Sequence, residues 1–256
     1  MELKKYLASI SYDGSDYFGF AKSSGKATIQ QEVEKALASL FKMEEVFDPD
    51  VKCASRTDAG VHALGQLIVF FLPFNMIPCI KLTEMINSCL PSLIKFNLIT
   101  EVEESFTLYS CVLNKEYIYL LSRKPLSPFL SRYVGYFEYE FKFDRLRSII
   151  SLFEGEHDFS VFSKDSKQYK STICSLFTSQ VFLLDDKDLI VFHFKGNRFL
   201  YNMVRRLIGC ALSLAASKID SIPTTFSDFT SSAYLKFTTQ KASPNGLYLL
   251  RVNLAS

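Results

Sequence analysis

Apolar and polar residues alternate from Tyr6 to Tyr12, the pattern of a half-buried strand, and Asp13-Gly14-Ser15 then supplies turn chemistry. Thr28, with Gln31 three residues on, has the spacing of a capping box. Ile29, Val33, Ala36, Leu37 and Leu40 recur at helical spacing, which predicts an amphipathic helix over 28–41. A strand at 51–54 follows, then a polar loop, then the strongest strand signal in the chain, Leu67–Leu72. A short helix is expected at 83–89, ended by Pro91.

The second half opens with strands at Tyr117–Leu121 and Tyr133–Tyr139, followed by a helix at Phe143–Phe153 that turns Leu146, Ile149 and Ile150 inward. Strands at Leu176–Leu184 and Leu189–Lys195 flank Asp185-Asp-Lys-Asp188, a hairpin signal. A helix from about Leu200 to Ser217 and a strand at 247–253 complete the pattern. Strands joined by hairpin-like connections favour an α+β fold over a doubly wound parallel sheet. The element order is alike in the two halves, and the division is expected at 104/105, giving 1–104 and 105–256.

Composition narrows the function classes. The 256 residues, 48% hydrophobic with 24 Phe, are enough for a full core and exclude wholesale disorder. A net charge of +2 does not by itself point to nucleic acid, so such a partner has to be argued from local clusters such as Lys195–Arg206. Six scattered cysteines, no Cys-x-x-Cys pair and three histidines offer no zinc spacing. No apolar run is long enough to span a bilayer, and the N-terminus lacks the apolar stretch of a signal peptide. A cytoplasmic protein with free thiols, no metal and no membrane partner is expected.

The candidate chemistry centres on Ser55-Arg-Thr-Asp-Ala-Gly-Val-His-Ala-Leu-Gly-Gln66, which feeds straight into the strand at 67–72. It sets a cation (Arg56), a hydroxyl (Thr57), a carboxylate (Asp58) and a glycine within five positions, with His62 close behind. An arbitrary Arg-x-Asp is most often an ordinary turn with a solvated arginine. Gly196-Asn-Arg-Phe-Leu-Tyr-Asn-Met-Val-Arg-Arg206 is a second block, where a glycine after a strand and a helix carrying arginines suit an anion.

The twelve-residue string resembles the signature loop of the tRNA pseudouridine synthase A (TruA) family. Further blocks agree: Tyr12-Asp-Gly-Ser-Asp-Tyr-Phe-Gly-Phe20, Tyr117, Leu152–Ser163, Gly196–Arg205 and Ala242-Ser-Pro-Asn-Gly-Leu-Tyr-Leu-Leu-Arg-Val252. The resemblance implies a pseudouridine synthase fold, in which two similar halves share a mainly antiparallel sheet with flanking helices. It makes Asp58 the catalytic nucleophile, sets Arg56 and Arg205 beside it in the active site, and gives Tyr117 the target uracil to stack on. Thr57, His62 and Arg198 join the substrate-binding set. The reaction implied is isomerisation of uridine to pseudouridine at positions 38–40 of the tRNA anticodon arm, without cofactor, by a homodimer.

The lettering departs from the family at Ala21, at Leu108-Tyr109 and at Ser171, and the likeness is thin over 105–113 and 165–175. For the tempting His157-Asp158 pair the expectation is structural, with His157 capping the helix before it and Phe159 and Phe162 packing. Two rival readings stay open. One is an RNA-binding protein of the same fold with reduced or retargeted catalysis. The other is a metal-free hydrolase with Asp58 as nucleophile and His62 as base, although His62 has no orienting partner nearby in sequence.

Overall fold

The computed structural model describes residues 3–40, 49–73, 77–184, 188–219 and 221–255. In chain order the elements are β1 (Leu3–Tyr12), α1 (Ile29–Leu40), β2 (Lys52–Cys53), β3 (His62–Pro73), α2 (Cys79–Cys89), β4 (Ile94–Val102), α3 (Leu108–Cys111) and β5 (Val112–Ser122). They continue with β6 (Gly135–Tyr136), α4 (Phe143–Ser151), β7 (Gly155–Asp158), β8 (Ile173–Leu184), β9 (Leu189–Gly196), α5 (Met203–Ala216), α6 (Leu235–Thr238) and β10 (Leu247–Leu254). The fold is α+β, and most strand pairs are antiparallel.

Two compact units form, residues 1–113 with 248–256, and residues 114–247. The break falls at 113/114 instead of 104/105, and the last strand returns to the first unit, because β10 pairs in parallel with the start of β3.

In the first unit the strand order is β4-β1-β3-β10, with β2 alongside β3. Tyr6, Ala8, Ile10 and Tyr12 alternate into the core along β1 as period two requires. Ile29, Val33 and Leu37 of α1 and Leu82 and Ile86 of α2 are buried as well. Thr28 opens α1 as expected, its hydroxyl oxygen accepting the Gln31 N–H at 3.4 Å. Residue 41, the expected end of that helix, lies outside the described residues, as do 185–187 of the expected hairpin turn.

In the second unit the order is β5-β9-β8-β7, with β6 parallel to the end of β5. β8 and β9 pair antiparallel as the hairpin pattern predicts. Phe153, Phe159, Phe162 and Phe229 are fully buried and pack ring against ring, with Phe226 joining them. Of the expected strand at Tyr133–Tyr139 only Gly135–Tyr136 pairs; the aromatics beyond it pack on one another, Phe137 against Tyr139 and Phe141. α5 begins at Met203 and not at Leu200, since Asn202 takes the left-handed conformation (φ 61°) and closes a turn first. Eleven of its fourteen residues are buried, which makes it the central helix of the unit.

Candidate active site

The loop between β2 and β3 is held from behind at each end. Gln66, fully buried on β3, accepts the Ser55 N–H at 3.2 Å and donates to the Ser55 carbonyl at 2.5 Å. Its amide also reaches the Tyr12 phenol, which shares a 2.8 Å hydrogen bond with the Thr57 hydroxyl. One buried chain of groups therefore ties the loop to β1.

The first aromatic motif clamps the same loop through its backbone. Phe20 N–H donates to the Thr57 carbonyl and Gly60 N–H to the Tyr17 carbonyl. Gly19 (φ 94°) passes so close that a Cβ there would lie 2.6 Å from the Thr57 carbonyl oxygen. A Cβ on Gly14 would sit 2.0 Å from the Val61 carbonyl oxygen. Both contacts are backbone, so neither can relax cheaply.

Arg56 and Ala59 are exposed and Asp58 is half-buried, while Thr57 and His62 are only 8% and 2% exposed. Both of the latter, expected as substrate contacts, thus lie behind the loop. His62 Nδ1 stands 3.2 Å from both the Gly14 N–H and Asp13 Oδ1. An unprotonated Nδ1 accepts from Gly14, and a protonated one donates to Asp13. The His62 ring also stacks on Tyr248 of β10 at 4.7 Å. His62 therefore does have an orienting carboxylate, contributed from 49 residues earlier, but its burial deprives it of the access a general base needs.

Tyr109, where the family carries arginine, stands exposed on α3, within reach of the charges of Arg56 and Lys52. Next to Ala21, the Gln30 side chain accepts the Lys22 N–H and donates to the Val51 carbonyl.

In the second unit Tyr117 and Tyr119 share one face of β5. Tyr117 is 5% exposed and meets Phe199 edge to face at 5.0 Å. The Tyr119 hydroxyl bonds Ser243 at 3.0 Å; burial pushes its pKa up, and the Ser243 bond and the Arg205 charge pull the other way. Arg205 is 9% exposed on α5, its Nε donating to the Ala242 carbonyl and its own carbonyl accepting the Ala242 N–H, each at 2.9 Å. Arg198 lies over the Tyr169 ring at 5.7 Å. His157 does not cap α4, which ends at Ser151; it bonds the Glu154 carbonyl beyond the helix at 2.9 Å and stacks on Phe226 at 4.1 Å, while Phe159 and Phe162 pack as expected.

The structure thus groups Arg56, Thr57, Asp58 and His62 in one unit, and Tyr117, Arg198 and Arg205 in the other. Gln66, Asp13, Tyr248, Tyr119 and Ser243 are supporting residues to which the motifs alone assigned no part. All but Tyr119 stand inside a stretch that resembles the family, yet only the partner across the fold shows what each does. Among the described residues no three His, Cys, Asp or Glu side chains cluster as metal ligands would, and no helix is long and apolar enough to cross a membrane.

A family model described as tRNA pseudouridine synthase matches residues 8–110 and 149–253, and the chain belongs to that family. Among its relatives is tRNA pseudouridine synthase A of Listeria monocytogenes, 34% identical over 98% of this chain and 99% of its own length. tRNA pseudouridine synthase A 1 of Bacillus cereus is 33% identical over the same shares, and the Leuconostoc citreum synthase 34% identical over 83% of each chain.

Proposed function

We propose that the chain isomerises uridine to pseudouridine in the anticodon arm of tRNA, at positions 38–40, with Asp58 as the attacking carboxylate. The observation that carries this is the framing of Asp58. It is half-exposed on a loop in which Ser55 and Thr57 are buried and bonded to β3 and β1 respectively, in a chain of the synthase family. A nucleophile of this kind works only if its approach is fixed before the substrate arrives.

In the reaction the C1′–N1 bond breaks and a C1′–C5 bond forms, with the C5 proton lost and N1 protonated. Attack at C1′, attack at C6 and a glycal route all use one ionised carboxylate in this position. Arg56, exposed two residues away, is suited to fill the space left by the extruded base or to hold a phosphate. Extrusion costs a few kcal/mol, less in a loop or at a stem end, which suits an anticodon arm. Tyr117 is assigned the uracil and Arg205 the favouring of the charged carboxylate. Thr57 and His62 serve by holding the loop, Arg198 by contacting the RNA. A homodimer in the cytoplasm completes the proposal, since two copies offer a tRNA twice the cationic surface of a chain with net charge +2.

The test is pseudouridine mapping in bulk tRNA incubated with purified protein, beside Asp58→Asn. The expected result is tritium release from 5-labelled uridine by the wild type only, with tRNA affinity retained by both. Full activity of Asp58→Asn would remove this residue from the mechanism. tRNA binding by the wild type without product would leave a binding protein.

A further inference from the structure

The stretch 163–170, Ser-Lys-Asp-Ser-Lys-Gln-Tyr-Lys, largely overlaps the segment where likeness to the family motifs is thin. It is nevertheless built into the second unit. Lys164 N–H donates to the Tyr201 carbonyl at 3.1 Å, Tyr201 N–H donates to the Tyr169 hydroxyl at 2.8 Å, and Arg206 Nη1 donates to the Ser163 carbonyl at 2.8 Å. Asp165 and Asn202 both take left-handed φ values, 58° and 61°, a strain that these tethers hold in place. The loop is thereby fastened to the turn that opens α5.

What this shelf presents is cationic and aromatic together. Lys164 Nζ stands 5.6 Å from the centre of the Tyr201 ring and Arg198 covers the Tyr169 ring, while Tyr201 remains 42% exposed. Lys167 and Lys170 are exposed beside them. Residues 163–170 and 198–206 carry six Lys and Arg against a single carboxylate, Asp165, in a chain whose net charge is only +2. A solvated lysine face would need no tethering tyrosine. A lipid-binding loop would carry exposed aliphatic side chains between its lysines, and 163–170 has none. Cations interleaved with available ring faces suit phosphates and an unstacked base.

We infer that Lys164, Lys167, Lys170, Tyr169, Arg198 and Tyr201 form a substrate-gripping surface for RNA, taking backbone phosphates and one base outside the target nucleotide. The identity of the partner rests on the tRNA reading above. The surface sets affinity and leaves the chemical step alone.

The test uses the full chain with Lys164→Ala, Lys167→Ala and Lys170→Ala combined, and separately Tyr201→Ala. The dissociation constant for an unmodified tRNA transcript is measured by anisotropy across a salt series, and pseudouridine formation at saturating tRNA. The triple variant is expected to weaken binding about tenfold near 0.15 M salt, to flatten the salt dependence by about one log-unit slope per lysine, and to keep its saturated rate. Tyr201→Ala is expected to weaken binding with the slope unchanged. An unaltered slope in the triple variant overturns the inference, as does wild-type binding through these lysines to phosphatidylserine vesicles but not to tRNA. Should the triple variant melt early, Lys167→Ala alone carries the test, with a slope change of about one. A flattened slope in a protein that makes no pseudouridine would keep this surface and sink the proposed function; full activity with an unchanged slope would do the reverse.

Discussion

Gln66 shows how much a single side chain decides at the residue scale. It returns both backbone groups of Ser55 and touches the phenol that holds Thr57, all without solvent. Leucine fills a similar volume but removes both hydrogen bonds to the Ser55 backbone. Gln66→Leu is therefore expected to lower stability by about 2–4 kcal/mol in urea unfolding. Its turnover should fall by more than its KM rises, because the presentation of Asp58 is disturbed and the RNA surface is not. A variant of unchanged stability and turnover would show that the loop is held by its glycine contacts alone.

The same scale explains which side chains the sequence left unread. His62 was legible as chemistry, but not its carboxylate neighbour, since Asp13 lies 49 residues away and meets it only after β1 and β3 pair. The resemblance singles out Tyr117 and gives Tyr119 no part; the bond of Tyr119 to Ser243, 124 residues on, shows only in the fold.

At the scale of elements, periodicity served where elements are regular and failed where they are not. The helices at α1 and α4, and the strands β1, β8 and β9, follow their spacing closely. β4 carries no even alternation, its buried residues running Ile94, Phe96, Ile99. Pairing with β1 slips between Ser9↔Leu98 and Ile10↔Phe96, leaving Asn97 as an extra residue. A bulge of this kind breaks the alternation by which a strand is recognised. The pattern at 133–139 failed in the opposite sense, since alternating aromatics there have a partner strand only at Gly135–Tyr136. The phenylalanine cluster behind β7 gives the element-scale prediction. Phe162→Ala removes a fully buried ring that touches Phe153, Phe159 and Phe229, and should cost about 3–5 kcal/mol. Thermal melts that leave the midpoint unmoved would mean the cluster is not the core of its unit.

For the whole molecule, the return of β10 to the first unit is the decisive feature. The parallel pairing Tyr248↔His62 and Leu249↔Ala63 sets the end of the chain beside the start of β3, inside the signature string Ser55–Gln66. A chain ending at residue 246 would lose that strand and the stacking of Tyr248 on His62. The expected outcome is loss of cooperative unfolding for the first unit, read by proteolysis and circular dichroism. A truncated protein that keeps a folded first unit and full turnover would show that β10 is dispensable to the loop.

The string of letters determined the family, because its signature residues stand in a fixed local order between Ser55 and Gln66. It also determined the helices and strands whose spacing matches their period. The tertiary structure alone decided which of those residues face outward and which brace them from behind. Burial and hydrogen bonding are settled between segments far apart in the chain, and local spacing carries no record of them.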